Sequence, residues 1–161
     1  MYVKLIKTDG PWLPATIQHG DRQFCVMDEF TIDERFAPKP NEDFEVELSA
    51  LVEKDTSWEE MFANNPYNTK GIEPLKGWSY RVFGQIVSIN PVVVDCGILS
   101  IPDALHTNDS RVVGEYIALT ISRLVATQYL TKNTDKAGIL VDEEENGTFK
   151  SFLKNLYKTE K

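Results

Sequence analysis

The sequence predicts a mainly β protein. An antiparallel β domain over residues 1–130 carries a short helical excursion, and a linker and C-terminal amphipathic helix over 131–161 dock on it. Three observations carry this expectation. Apolar and polar residues alternate at period two through most of the first 125 residues. Turn-forming clusters recur between these runs with no long helix among them. Only residues 148–158 change to helical spacing.

The elements follow in order. Tyr2–Thr8 alternates, and Asp9-Gly10-Pro11 ends the run. Ala15–Gln18 and Arg22–Met27 flank His19-Gly20-Asp21, the short Gly-containing connection of a hairpin. Residues 28–42 are irregular, with Pro38 and Pro40 stiffening the approach to the next strand. Phe44–Glu53 shows the clearest alternation. Phe44, Val46, Leu48, Ala50 and Val52 face a core, while Glu45, Glu47, Ser49 and Glu53 face solvent and Leu51 breaks the pattern.

Residues 55–77 interrupt the strands. Asp55 and Ser57 are N-cap types, and Trp58-Glu59-Glu60-Met61-Phe62 makes a short helix with acids in its first turn, where the helix dipole favours them. Asn64-Asn65-Pro66 ends it, and the chain through Gly71, Pro74 and Gly77 reads as loop. Trp78–Ile89 and Val92–Ile101 are two strands joined at Asn90-Pro91, the second apolar on both faces around Asp95 and so central in its sheet. After a polar connection, Gly114–Val125 returns as a strand, with Leu124-Val125 marking a bulge or its end. Asp142–Gly147 is an exposed turn. Thr148 caps a helix bearing Phe149, Phe152, Leu153, Leu156 and Tyr157 on one stripe, with Lys150, Lys154 and Lys158 beside it.

From Phe44 to Val125, the order of long strand, excursion, tight hairpin and returning strand resembles an OB-type Greek-key barrel in layout. No family motif accompanies that layout, and a fold of this kind licenses no particular function.

Composition limits the function classes. The chain is 42% hydrophobic and 26% charged, which places it among globular rather than disordered proteins. No apolar run is long enough to span a bilayer, and the N-terminal residues lack a signal-peptide pattern, so a cytoplasmic protein without membrane association is expected. Cys25 and Cys96 form no CxxC pair. Free buried thiols suit an intracellular chain, and a disulfide between the two is the alternative.

Charge is the most uneven property. Residues 28–60 hold twelve of the 25 acids and three of the 17 bases, a net of −9 against −8 for the whole chain. Such a surface repels phosphate and attracts cationic partners. Nucleic-acid binding is therefore disfavoured, although Trp58, Phe62, Tyr67, Trp78, Tyr80 and Phe83 could stack on bases, because neutralised phosphates supply most of that binding energy.

Catalytic and cofactor signatures are absent. Asp95 and Cys96 alternate to opposite faces, which spoils a compact Cys–His–Asp site with His106, and an inert thiol with Asp95 paired to Arg81 or Arg111 is expected. Asp28, Glu29, Asp33 and Glu34 lack calcium-loop spacing, and Glu59 and Glu60 diverge by about 100° on a helix, so solvated carboxylates are expected. No phosphate-binding glycine motif occurs. No catalytic residue, metal or cofactor is expected.

The expectation is an acidic, non-enzymatic protein-binding module, an inhibitor or immunity-type protein that neutralises a basic partner such as a nuclease toxin. Glu45, Glu47, Glu59 and Glu60 would steer the encounter, and Trp58, Phe62 and Tyr67 would anchor it. The alternative is an OB-like domain that binds a small molecule or oligosaccharide in the aromatic excursion.

Overall fold

The computed structural model describes residues 1–128. The linker and amphipathic helix expected over 131–161 lie outside the described residues. Among the described residues nine strands form one sheet: β1 (Tyr2–Thr8), β2 (Pro14–His19), β3 (Arg22–Asp28), β4 (Asp43–Val52), β5 (Gly71–Pro74), β6 (Tyr80–Ile89), β7 (Val92–Asp95), β8 (Ser100–Pro102) and β9 (Tyr116–Gln128). The helix α1 (Trp58–Ala63) falls in the excursion, and a single 3-10 turn occupies Ser110–Val112.

Five strands close on themselves in the order β3-β2-β1-β4-β9, with β9 returning to β3. Pairing is antiparallel throughout except at that closure, where Met27 and Asp28 run parallel to Val125 and Ala126. The closure is short, and side chains extend it. The Tyr80 hydroxyl accepts from the Cys25 N–H at 2.7 Å and donates to the Cys25 carbonyl at 3.0 Å. Arg22 donates to the Ile72 carbonyl at 2.7 Å. Tyr80 thereby satisfies both backbone groups of Cys25 where β9 does not reach β3, and Arg22 ties β3 to β5.

The ring draws on β1–β4 and β9, so its membership differs from the stretch between Phe44 and Val125 that sequence layout suggests. The later strands extend from it: β6 pairs with β9, β7 with β6 and β8 with β7, while β5 adds to β6. Alternation places Val46 and Leu48 of β4, Val82 and Ile86 of β6, and Ile117, Leu119 and Ile121 of β9 in one core. Gly84 lets β7 lie against β6, since a Cβ there would stand 2.6 Å from Val94 Cγ1 and 2.8 Å from the Asp95 carbonyl oxygen.

Several boundaries depart from expectation for local reasons. Val92–Ile101 is two strands, because Gly97 turns the chain with φ 85° and the Cys96 N–H donates to the Leu99 carbonyl. β7 nonetheless lies between two neighbours. The loop expected through Gly71 and Pro74 contains β5, which pairs with β6 from Gly71↔Phe83 to Pro74↔Tyr80. β9 runs on past Val125 to Gln128, and its irregularity falls earlier, where Leu51 pairs Arg123 and Val52 pairs Ile121.

Candidate functional site

Two segments of the described chain carry exposed aromatics, and each is organised by one buried polar side chain. The first is the excursion. Ser57 caps α1 by accepting from the Glu60 N–H, while the Glu60 carboxylate accepts from the Ser57 N–H at 3.1 Å, a reciprocal capping box. Met61 is the residue of α1 that enters the core. Asn65, 3% exposed, locks the return. Its amide donates to the Thr69 carbonyl at 2.9 Å and across to the Ile117 carbonyl at 3.1 Å, and its oxygen accepts from the Thr69 N–H at 3.0 Å. On this support Trp58 stacks on Phe62, with ring centroids 5.7 Å apart and planes 18° apart. Tyr67 is 86% exposed and Trp58 37%.

The second segment was not singled out by sequence reasoning. Asp28 is expected to be solvated, yet it is fully buried. Its carboxylate accepts from the Phe30 N–H at 3.0 Å, the Thr31 N–H at 2.9 Å and the Thr31 hydroxyl at 2.8 Å, and from the Thr8 hydroxyl. Its backbone also binds the β1–β2 loop: the Trp12 N–H donates to the Asp28 carbonyl at 2.7 Å and the Asp28 N–H to the Leu13 carbonyl at 3.0 Å. Two loops thus meet at one residue. Trp12 and Leu13 on the first, with Ile32 and Phe36 on the second, are each about half exposed. An Asp directly after Met27 at the end of a strand offers no sequence signal of this. The signal available was the pair Trp12-Leu13 in a turn, too polar-poor for an ordinary loop.

The predicted acids divide between the two segments. Glu59 and Glu60 belong to α1, and Glu60 also serves the capping box. Glu45 pairs across β1 with Tyr2, and Glu47 pairs across β9 with Thr127. Thr127 in turn donates to Glu29 at 3.1 Å, beside Asp28. Asn65 binds Ile117, at the other end of β9. Ile117 and Thr127 lie about 30 Å apart along the strand at roughly 3.3 Å per residue. Glu47 is therefore linked through Thr127 to the Asp28 loops, Glu45 lies across from Tyr2 on β1, and Trp58, Glu59, Glu60, Phe62 and Tyr67 form a separate group.

The acid-rich stretch is largely uncompensated. Asp33 is ion-paired to Arg35 at 2.7 Å, and Asp28 is buried. The other acids of 28–60 have no ion-pair partner among the described residues, and Glu47, Glu53, Asp55, Glu59 and Glu60 are exposed.

The groups considered for catalysis are placed otherwise. Asp95 pairs with Lys70 at 2.7 Å rather than with Arg81 or Arg111, and Arg111 pairs with Asp109. That bond to Lys70 and one from the Gly97 N–H hold the Asp95 carboxyl below its usual range. Cys96 is buried, and burial pushes its thiol up to about 12. Cys25 and Cys96 are both free thiols. No group of three His, Cys, Asp or Glu side chains among the described residues is arranged to hold a metal ion. A polar depression of about 340 Å³ opens between the β6–β7 turn and the chain after β8, lined by Asn90, Asp103, His106, Thr107 and Asn108, away from the aromatic excursion.

Comparison with protein-family models, with curated proteins and with solved structures finds no match.

Proposed function

We propose that this protein is an acidic, non-enzymatic interaction module that binds and inhibits a basic protein, in the manner of an immunity protein opposing a nuclease toxin. The observation that carries this reading is the uncompensated charge of residues 28–60, whose acids, apart from Asp33, have no ion-pair partner among the described residues. Unpaired carboxylates project their field into solvent and accelerate encounter with a cationic surface. Trp58, stacked on Phe62 over a capped helix, and Tyr67 supply rigid aromatic surface at low entropic cost. The raised thiol of Cys96 supports a protein without a nucleophilic centre. Among the described residues no helix is long and apolar enough to cross a membrane, and we read the protein as cytoplasmic.

The five-stranded ring supports an OB-like Greek-key description, since that architecture is a five-stranded Greek key closed on itself. The second reading, a small-molecule or oligosaccharide site, draws on the polar depression beside His106.

The test is kinetic. The partner is isolated by affinity purification from the native host, identified by mass spectrometry, and its association is followed at rising salt. Replacing Glu45, Glu47, Glu59 and Glu60 together by Gln should slow association by about ten-fold or more at low salt and leave dissociation nearly unchanged. Gln at position 60 still completes the capping box. An acidic partner, or an unchanged association rate, overturns the proposal.

A further inference from the structure

We infer that the two loops tied to Asp28 form the anchor by which this protein grips its partner. Trp12, Leu13, Ile32 and Phe36 enter an apolar socket on a basic protein, and that protein's cations meet Glu29 and Glu47. The inference rests on the basic-partner reading above and moves its energetic centre from α1 to the opposite end of β9.

The backbone is the first support. Trp12 has φ +66°, a left-handed conformation that a bulky L-residue adopts at a cost. Hydrogen bonds enforce it: Trp12 N–H to the Asp28 carbonyl, Leu13 N–H to the Gly10 carbonyl, and Asp9 N–H to the Pro14 carbonyl. The turn is over-determined, and its product is an indole 55% exposed to water. A strained, firmly held residue whose large apolar side chain faces solvent is the pattern of a contact residue rather than a core residue.

The second support is convergence. The Asp28 carboxylate holds Phe30 and Thr31, immediately before Ile32, and the Phe36 N–H closes a turn on the Asp33 carbonyl. Of the eleven large hydrophobic side chains exposed among the described residues, four sit on two loops that both bond to Asp28. Preorganised apolar side chains lose little entropy on binding.

Charge chooses the occupant. Glu29 receives a hydrogen bond from Thr127, which is the cross-strand neighbour of Glu47, so carboxylates flank the apolar patch on the β4 side. Of the two cations on the second loop, Arg35 is bound to Asp33, and Lys39 is outnumbered by Glu29, Glu34 and Glu42. Lys7 on β1 stands two residues before Asp9 in the sequence. A second copy related by two-fold symmetry would bring this acidic flank against itself, and an anionic membrane or a nucleic acid would be repelled. A protein surface with an apolar pocket rimmed by Lys and Arg fits.

The test places a photo-crosslinking benzoylphenylalanine at position 12, 36, 58 or 87 of the full chain in its native host, with mass spectrometry of the products. Position 87, exposed on β6, is the control. Crosslinks from 12 and 36, but not 87, to one protein rich in Lys and Arg are expected. Trp12→Gly, combined with the probe at 36, removes the indole and suits the left-handed backbone. It should leave the melting temperature unchanged or raised and weaken partner affinity roughly thirty-fold, the scale of a hot-spot truncation. Crosslinks from 58 alone overturn this inference and leave the basic-partner reading standing. Crosslinks from 12 and 36 to an acidic protein or to a second copy overturn that reading as well. A lower melting temperature with unchanged crosslinking assigns Trp12 a structural role and also overturns the inference, as does the absence of any product from 12 and 36.

Discussion

The Asp28 loops and the α1 excursion solve one problem in two ways. Each is a long connection carrying exposed aromatics, and each hangs on a single buried side chain that binds its own neighbours and one distant group. For Asp28 the distant group is Thr8, and for Asn65 it is the Ile117 carbonyl. The chemistry of the distant group dictates the residue. Asp28 is surrounded by donors, two N–H groups and two hydroxyls, so an acceptor-only carboxylate satisfies all of them. Asn65 faces carbonyls on one side and donors on the other, which only an amide can serve. Buried polar side chains of this kind substitute for the secondary structure that these loops lack.

The largest expected effect distinguishes the two ends of the molecule by thiol reactivity. Cys25 lies on β3 near the Asp28 loops, and Cys96 lies at the turn where the Lys70–Asp95 pair fastens the end of the excursion. With its thiol at about 12 against an ordinary 9, Cys96 at pH 8 should react about a thousand-fold more slowly than an unhindered thiol. A maleimide time course with peptide mapping should show Cys25 modified first. Because folding raises the Cys96 value, its stabilising contribution is complete below about pH 9 and is lost as pH rises toward 12. Rapid native labelling of Cys96 would mean that the excursion end opens readily.

Exchanging the two anchors' chemistry comes next. Asn65→Asp places a carboxylate against the Thr69 and Ile117 carbonyls and removes both donors, and should cost about 3–5 kcal/mol in urea unfolding. Asp28→Asn is milder, about 1–2 kcal/mol, because one oxygen remains for the two N–H groups and both hydroxyls can rotate to accept from the amide. Equal costs would show that burial alone, rather than donor–acceptor matching, sets these anchors.

The smallest effect tests local capping against tertiary anchoring. Ser57→Ala removes the side-chain half of the capping box and should cost about 1 kcal/mol, less than either anchor substitution. A larger loss would make α1, rather than Asn65, the organising element of the excursion.

Ser57 and Asn65 illustrate how much was legible in the sequence. The N-cap, the acids of the first turn and the stop at Asn64 were all readable, because each acts on backbone within four residues. The strand Tyr2–Thr8 was equally readable from alternation, as was Phe44–Glu53, which is found at Asp43–Val52. The expected free burial of Cys96 also follows from its neighbours. The roles of Asp28 and Asp95 were not legible, since their partners Thr8 and Lys70 stand 20 and 25 residues away.

The sequence by itself therefore determined that most segments other than β5 extend, where α1 begins and ends, and that the charge gathers between residues 28 and 60. These are local properties, set by side-chain period, capping and composition. Tertiary structure alone decided that β9 closes the ring beside β3, that Lys70 takes Asp95, and that Asp28 is buried while Glu29 is not. It also placed Glu47 across from Thr127, which binds Glu29 beside Asp28, rather than beside Trp58. The physical reason is that a carboxylate's environment is fixed by whichever distant donors the strand register brings to it.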